Sequence, residues 1–261
     1  MMYADGLSII MDSISQVFLN YNKKFFCIAT VISPKYVLTA ARCLQHKDPK
    51  NITITSGSTD MKDSGHIHYV EKIIVHQYFI LDTDFGIPTN NIALAKVTEP
   101  FRGEDNIEPI DLYRPEDVMD FDAGAEILSY GCYFNSTGLL ISWVPSMNRD
   151  SCYTTYKEYG GLPDGSICVS THEMGGCGGA SGNPMIVNGR LAGIFSYKLN
   201  TCNDEMGYDC PAVHTGIQKY YGWIKKNAEL DDGNPGSVIK SSVSKGSKDV
   251  EVFLRAKDGA F

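Results

Sequence analysis

The residue best suited to catalytic chemistry is a serine in a glycine-rich turn. Ser181 lies within Gly175–Pro184, which reads GGCGGASGNP, and a short apolar stretch leads from there to Gly193–Tyr197. A serine hydroxyl acts as the nucleophile of acyl transfer when a neutral base takes its proton and a third group fixes the tautomer of that base. Ser181 is therefore a candidate nucleophile only if the rest of the chain supplies such a base.

Two further segments accompany this turn, and the three together form a pattern. Val37–Cys43 reads VLTAARC, Asn90–Val97 reads NNIALAKV, and the serine turn contains GASGNP. In this order and at this spacing they resemble the VLTAAHC, NDIALLKL and GDSGGP segments of chymotrypsin-like and trypsin-like serine proteases. The resemblance covers about residues 3–228. It implies an all-β fold of two six-stranded antiparallel β-barrels with a C-terminal helix.

The catalytic positions of that family fall on residues of the wrong chemistry. Arg42 stands where the family has its histidine, and Asn91 stands where it has its aspartate. A guanidinium stays protonated at physiological pH and offers only donors, so Arg42 cannot take a proton from Ser181. Loss of the base alone removes about six orders of magnitude of rate. We therefore expect an inactive homologue and no enzyme.

The oxyanion hole and the specificity pocket are also altered. The resemblance assigns the hole to the backbone N–H groups of Gly179 and Ser181, and Ala180 replaces the aspartate that holds this loop in the family. A lysine at position 198 is expected to obstruct the groove where a substrate strand would add to the sheet. The pocket positions that the resemblance assigns are Gly175, Lys198, Ala212 and His214.

Short strands dominate the rest of the pattern. Segments rich in β-branched and aromatic residues alternate with turns from Gln16 to Lys96, which favours a barrel or sandwich. Near the end, Ile217, Tyr220 and Ile224 lie on one helical face with Tyr221. We predict a homology domain over residues 1–229, with an N-terminal barrel at about 14–105, a C-terminal barrel at about 120–215 and a helix at about 216–229. Residues 230–261 form an extension of unknown role.

Eight cysteines indicate an oxidising compartment and therefore secretion. Their spacing alone does not choose among the possible pairings. For six of them the family resemblance implies the disulfides Cys27–Cys43, Cys152–Cys168 and Cys177–Cys202. Cys132 and Cys210 have no counterpart in the family, and three alternatives stay open for them: a bond to each other, a bond to another chain, or free thiols.

Composition excludes several classes of partner. The 261 residues are 43% hydrophobic and 21% charged, as in globular proteins. The net charge of −8 argues against nucleic acid or an anionic membrane surface as partner, and no run of apolar residues is long enough to span a membrane. His66 and His68 alternate on a strand without a third ligand, so we predict neither a metal nor a cofactor. The candidate glycosylation sites are Asn51 and Asn135.

The sequence thus predicts a secreted, non-catalytic serine protease homologue that binds a protein partner. By resemblance it would act in an immune or proteolytic cascade, as inactive homologues do in arthropod immunity and as the scabies mite inactivated protease paralogues do against host complement. Two alternatives stay open. One is a weak serine hydrolase in which Ser181 uses an unconventional base such as His46 or a water. The other is a ligand-carrier or storage protein with a remodelled pocket.

Overall fold

The structure is a computed structural model of the 261-residue chain. It describes residues 15–58, 65–81, 84–102, 107–118, 125–130, 139–170, 180–199 and 210–230. Most of the described residues lie in short antiparallel strands. Residues 1–14 and all but the first residue of the predicted extension lie outside the described residues.

The first half of the chain forms a closed barrel. Its strands are β1 (Gln16–Tyr21), β2 (Lys24–Ser33), β3 (Tyr36–Thr39), β4 (Ile52–Ser56), β5 (His66–Val75), β6 (Ile80–Leu81), β7 (Pro88–Thr89) and β8 (Ala93–Val97). Six of them close in the order β1-β2-β3-β8-β5-β4, while β6 and β7 pair as a separate hairpin. Side chains such as Leu19, Val37 and Ile54 are fully buried inside. The first of the two predicted barrels is thereby confirmed.

The second half forms a seven-stranded antiparallel sheet. Its strands are β9 (Ala125–Tyr130), β10 (Leu139–Val144), β11 (Ser146–Met147), β12 (Ser166–Val169), β13 (Pro184–Val187), β14 (Arg190–Tyr197) and β15 (Ala212–Gly216). They pair in the order β10-β9-β13-β14-β15-β12-β11. The two edge strands β10 and β11 are separated only by Pro145, which lacks the N–H that a continuous ladder needs.

This sheet differs from the predicted second barrel. The sequence predicted six strands in a closed barrel, whereas the described residues show seven strands with no ladder joining the two edges. Pro145 offers no N–H to a ladder, and because this single residue joins β10 to β11, the sheet curves so that its two edge strands meet there. A closed second barrel is therefore not seen among the described residues.

Three α-helices complete the described fold: α1 (Ala41–Leu44), α2 (Arg149–Tyr156) and α3 (Ile217–Asn227). The C-terminal helix α3 buries Ile217, Tyr220 and Ile224 against residues of both halves, and the half-buried Tyr221 packs beside them. The predicted C-terminal helix is thus confirmed. No helix in the described ranges combines the length and the apolar character that crossing a bilayer would require.

The connection between the halves holds them in a fixed relation. The backbone N–H of Ile110 donates to the carbonyl of Val31 at 3.0 Å, and that of Tyr113 donates to the carbonyl of Leu191 at 2.9 Å. Farther along the same segment, Asp117 forms an ion pair with Arg190 at 2.8 Å. The segment therefore contacts the barrel and the sheet in turn, and the residues that face each other between the halves keep a defined geometry.

Candidate functional site

Arg42 lies on the short helix α1, which begins directly after the barrel strand β3. Its backbone N–H donates to Asn91 Oδ1 at 3.0 Å. Its guanidinium is exposed, and Nη1 donates to the carbonyl of Ser196 at 3.4 Å. The disulfide between the next residue, Cys43, and Cys27 ties this helix to strand β2. The positive charge is therefore held at the junction of the barrel and the sheet.

Asn91 is the buried hub of the site. Only 1% of its surface is exposed, and its Nδ2 donates to Ser196 Oγ at 2.8 Å. Its main-chain carbonyl accepts a hydrogen bond from Thr215 Oγ1 at 3.3 Å. With the bond from Arg42, both ends of the side-chain amide are engaged. An amide so placed orients its neighbours but contributes no charge.

Truncating this hub is expected to destabilise the protein modestly. Asn91→Ala would leave the buried hydroxyl of Ser196 and the backbone N–H of Arg42 without their partners. We expect the free energy of unfolding to fall by about 1–2 kcal/mol, since water can reach the Arg42 end. Urea denaturation followed by circular dichroism measures it. Asn91→Asp is the control, since it keeps the shape of the side chain and the oxygen that accepts from the Arg42 N–H. It should lose less stability than Asn91→Ala.

Ser181 lies in the turn that enters strand β13. Its carbonyl accepts a hydrogen bond from the backbone N–H of Ile28 at 3.0 Å and lies 3.7 Å from Cys43 Sγ, so the turn rests against the barrel. The next residue, Gly182, donates its N–H to the carbonyl of Phe195 at 3.0 Å. Ser181 itself is half-buried, and its hydroxyl forms no hydrogen bond with any described residue.

Two of the three predicted catalytic positions, Arg42 and Asn91, meet at Ser196, while Ser181 lies against Ile28 and Cys43 with no proton acceptor on its hydroxyl among the described residues. Of the five histidines within the described ranges, none is hydrogen-bonded to Ser181. His46 is exposed at the end of α1, with a φ of 60°, and makes no described contact with Ser181. General-base catalysis requires the base within hydrogen-bond reach of the hydroxyl. The described residues do not provide one.

Three of the four predicted pocket positions lie within the described residues, and all three are buried or half-buried. Ala212 and His214 are each 1% exposed on strand β15, and Lys198 is half-buried just after strand β14. The ring of Phe195 lies edge-on to that of His214, with centroids 5.6 Å apart. Gly175 and Gly179, the remaining predicted pocket and oxyanion residues, lie outside the described residues. Ala212 and His214 are buried side chains of β15, and their assignment to a pocket wall stays a prediction.

His214 is an unusual core residue. Neither ring nitrogen has a hydrogen-bond partner among the described residues. Complete burial lowers the pKa of His214 to about 4, and the backbone of Ala212 opposes that shift only in part. The ring is therefore neutral at physiological pH and behaves as a core side chain.

Two tyrosines pack against each other beside strand β14, the strand along which the resemblance would place a substrate. Tyr197 is only 5% exposed, and its ring lies 5.6 Å from that of Tyr156. Tyr156 is fully buried on α2 and donates its hydroxyl to the carbonyl of Pro211 at 2.6 Å. Burial raises the pKa of Tyr156 to about 12 and also raises that of Tyr197. Both rings are therefore part of the packed interior beside strand β14.

The loop between β6 and β7 of the barrel packs against the same tyrosines of the second half. Ile87, between β6 and β7, is 5% exposed and belongs to the same apolar cluster as Tyr156 and Tyr197. Phe85 in the same loop packs edge-on against Tyr159, with centroids 6.3 Å apart. This loop of the barrel therefore bridges to the segment after α2. This contact was not predicted from the sequence, because the sequence shows only that these residues are apolar.

Two disulfides join described residues. Cys27 is bonded to Cys43 and Cys152 to Cys168, the same pairs that the family resemblance implies. Cys210 is also disulfide-bonded, so the free-thiol alternative is wrong for this residue. The expected Cys177–Cys202 bond, Cys132 and the candidate glycosylation site Asn135 lie outside the described residues.

The histidines of strand β5 are in ordinary strand positions. His68 is 8% exposed, its Nε2 is hydrogen-bonded to Ser56 Oγ at 2.8 Å, and its ring packs 4.4 Å from that of Phe101. His66 is exposed. Within the part of the chain that the structure describes, no group of three or more potential ligands could hold a metal ion.

Comparison with known proteins agrees with this fold. The family profile described as Trypsin matches residues 11–224. Trypsin Blo t 3 of Blomia tropicalis is 30% identical over 217 residues, which cover 77% of this chain and 76% of that protein. Trypsin of Phaedon cochleariae is 26% identical over 236 residues, covering 85% of this chain and 86% of that protein.

Two solved structures are similar in fold. The scabies mite inactivated protease paralogue S-D1 has a TM-score of 0.69 at 23% identity and covers 82% of this chain and 92% of its own. Paralogue S-I1 has a TM-score of 0.69 at 21% identity, with coverages of 83% and 95%. At these identities the likeness extends to the fold.

Proposed function

We propose that this chain, which belongs to the trypsin family, is a non-catalytic member that acts as a secreted binding module and regulates proteolysis through a protein partner. One observation carries the proposal. Arg42 occupies the position of the catalytic base, with its backbone on Asn91 and its guanidinium directed at Ser196. The geometry that positions a base is present, and the side chain in it cannot accept a proton.

The replacement removes catalysis at its first step. The attacking hydroxyl of Ser181 must lose its proton as it bonds to the acyl carbon, and a guanidinium stays protonated throughout. Asn91 offers no negative charge to stabilise a cationic base. The triad works as a unit, so the second replacement adds little to the loss caused by the first.

The packing of side chains near Ser196 is consistent with a protein that does not bind a substrate for hydrolysis. Tyr197 and Ile87 are buried in one apolar cluster, and the Ser196 carbonyl accepts a hydrogen bond from Arg42. A hydrolase that retained Ser181 with an unusual base would still need access for its substrate. The alternative of a ligand carrier also loses support, because Ala212 and His214 belong to the packed interior.

The relatives are consistent with an inactive member. Two proteins that share its fold are named inactivated protease paralogues. We extend that property to this chain on its own residues, since the likeness in fold says nothing about the site.

Secretion rests on the disulfides and on the kind of relatives. Disulfides persist in oxidising compartments, and the described residues contain two complete bonds. The curated relatives are trypsins and a chymotrypsin. Asn51 is exposed at the end of the 3₁₀ helix Pro49–Asn51, so it is available as a glycosylation acceptor, and we retain it with Asn135 as a candidate.

Hydrolysis measurements test the proposal. The purified protein is incubated with an activated ester, with peptide substrates and with a serine-directed fluorophosphonate, beside a Ser181→Ala variant. We expect rates about six orders of magnitude below those of an active relative, no labelling of Ser181, and no difference between the two proteins. Turnover or labelling that disappears in Ser181→Ala would contradict the proposal.

A further inference from the structure

The distribution of charge along the chain is strongly uneven. The whole chain has a net charge of −8, yet residues 15–58 contain six basic side chains and a single acidic one, Asp48. Asp48 is partly used locally, because its carboxylate accepts a hydrogen bond from the backbone N–H of Lys50 at 3.0 Å. A concentration of one sign of charge against the net charge of the molecule marks a surface that attracts the opposite sign.

The fold gathers these basic residues at one place. The turn between β1 and β2 carries Lys23 and Lys24, and the adjacent N–H of Asn22 donates to the carbonyl of Asn51 at 2.9 Å, beside Lys50. Lys47 lies at the same end of the barrel, with its side chain over β1 and β2. We call the exposed Lys23, Lys24 and Lys50, with the half-buried Lys47, the basic patch.

Aromatic side chains lie within the basic patch. Lys47 Nζ is 4.5 Å from the ring centroid of Tyr21 and 5.3 Å from that of Phe26, within the range of cation–π attraction. Phe25 is 38% exposed, and its ring packs edge-on against Phe18 at 6.0 Å. The patch therefore offers apolar contact area together with charge.

This surface is continuous with the former active centre. The Cys27–Cys43 disulfide connects the strand that carries Phe25 to the helix that carries Arg42. One residue along that strand, the N–H of Ile28 donates to the carbonyl of Ser181 at 3.0 Å. The basic patch and Arg42 thus belong to neighbouring segments of one barrel, joined through the buried disulfide.

Arg42 has unused capacity to bind an anion. It donates one side-chain hydrogen bond, to the carbonyl of Ser196, out of the five N–H donors that a guanidinium carries. In contrast to Arg190, which pairs with Asp117 at 2.8 Å, it has no carboxylate within ion-pair distance in the described part of the chain. A carboxylate from another molecule would find a bidentate partner there.

The two-residue turn between β1 and β2 requires a positive φ at both of its central residues. Asn22 and Lys23 have φ of 50° and 64° at the two-residue turn, and His46 has φ of 60°. Asparagine is common at the first central position of such a turn, held here by Asn22, whereas the second position, held by Lys23, is usually glycine. Lys23 therefore holds a conformation that glycine would adopt at lower cost, and it places a charge at the exposed tip of the turn.

We propose that the basic patch together with Arg42 is a docking surface for an acidic, aromatic-containing segment of a partner protein, with one of its carboxylates bound by Arg42. The inference rests on the proposed function and names the chemistry of the partner. A polypeptide fits better than a sulfated glycan because Phe25 and Tyr21 add aromatic surface beside the lysines.

Calorimetric titration with a synthetic peptide tests this surface. The peptide is acetylated and amidated and alternates Glu, Asp and Phe, and its control has Gln and Asn in place of the acids. The protein is first treated with peptide N-glycosidase, so that a glycan on Asn51 cannot mask Lys50. We expect the acidic peptide to bind and the control peptide not to bind. The affinity should weaken from about 0.1 M to about 1 M salt as the screening length falls from about 10 Å to about 3 Å.

Matched variants locate the binding. Lys23→Glu with Lys24→Glu and Lys50→Glu should weaken it about tenfold or more, since exposed pairs each contribute about two- to fivefold. The control, Arg149→Glu with Lys157→Glu, changes exposed residues in and just after α2 and should leave binding unchanged. Arg42→Ala should weaken it further.

Lys23→Gly separates binding from folding. It relieves the positive φ at this turn and should raise the melting temperature by a few degrees while it weakens binding. Absence of binding by the wild-type protein, equal binding by the triple variant, or tighter binding of a heparin fragment than of the peptide would each overturn the inference. None of these outcomes bears on hydrolysis, which decides the proposed function separately.

Discussion

Replacing Gly182 with alanine is expected to lower the free energy of unfolding by about 3–5 kcal/mol. Gly182 has a φ of +89°, and an added Cβ would lie 2.1 Å from the carbonyl oxygen of Ile28 and 2.4 Å from Thr39 Oγ1. Neither atom can move away easily, because Thr39 Oγ1 already donates to that same carbonyl at 2.6 Å. The substitution therefore combines left-handed backbone strain with a clash in the packed seam between turn and barrel.

Gly189→Ala is the matched control for this prediction. Gly189 has a φ of +72°, but an added Cβ would meet nothing within 4 Å. It should lose only about 1–2 kcal/mol, the cost of the backbone conformation alone. Chemical denaturation of both variants measures the difference. Equal losses in the two would show that the seam beside Ser181 is not tightly packed.

Acidification from pH 6.5 to about pH 4 is expected to remove about 3 kcal/mol of stability through His214. Burial lowers the pKa of His214 to about 4 in the folded protein, against 6.5 when it is unfolded. Above pH 6.5 the ring is neutral in both states and contributes nothing. Between the two values the unfolded state binds the proton and the folded state does not, so stability falls with pH until the folded ring is protonated.

His214→Leu isolates this contribution. The variant lacks a titrating ring and should show a much shallower loss of stability over the same range when denaturant midpoints are compared. His76 changes stability in the same direction, because burial and Lys219 lower its pKa, and its slope remains in the variant. Asp117 and Asp164 have pKa values below 3.8, so their stabilisation is lost only under more acidic conditions. A slope unchanged by His214→Leu would contradict the prediction.

The contacts of Asn91 help to keep the trypsin-like framework together. Asn91 keeps both of its side-chain contacts, to the Arg42 backbone and to Ser196, and these contacts fix the junction of the two halves. The former base position is left pointing outward with a permanent charge. A surface of this kind binds anions without any change to the interior of the fold.

Family membership was determined by the sequence alone, and the expected loss of the base also rests on the sequence. Three short motifs in order specify the trypsin-like framework, and a guanidinium cannot act as a base whatever its surroundings. The C-terminal helix was also predictable, because Ile217, Tyr220 and Ile224 recur with the helical period. The break of the second sheet at Pro145 was not predicted, although proline in a strand is a local signal.

The contacts of the buried aromatic residues were decided only by the tertiary structure. Tyr197, Tyr156 and Ile87 are far apart in the chain and meet in one cluster, as do Phe195 and His214 beneath it. Likewise, Lys23, Lys47 and Lys50 become one patch only through the pairing of the strands around them. An apolar or charged residue type indicates burial or exposure, but which residues it contacts depends on how distant segments pack, and that information is not local in the sequence.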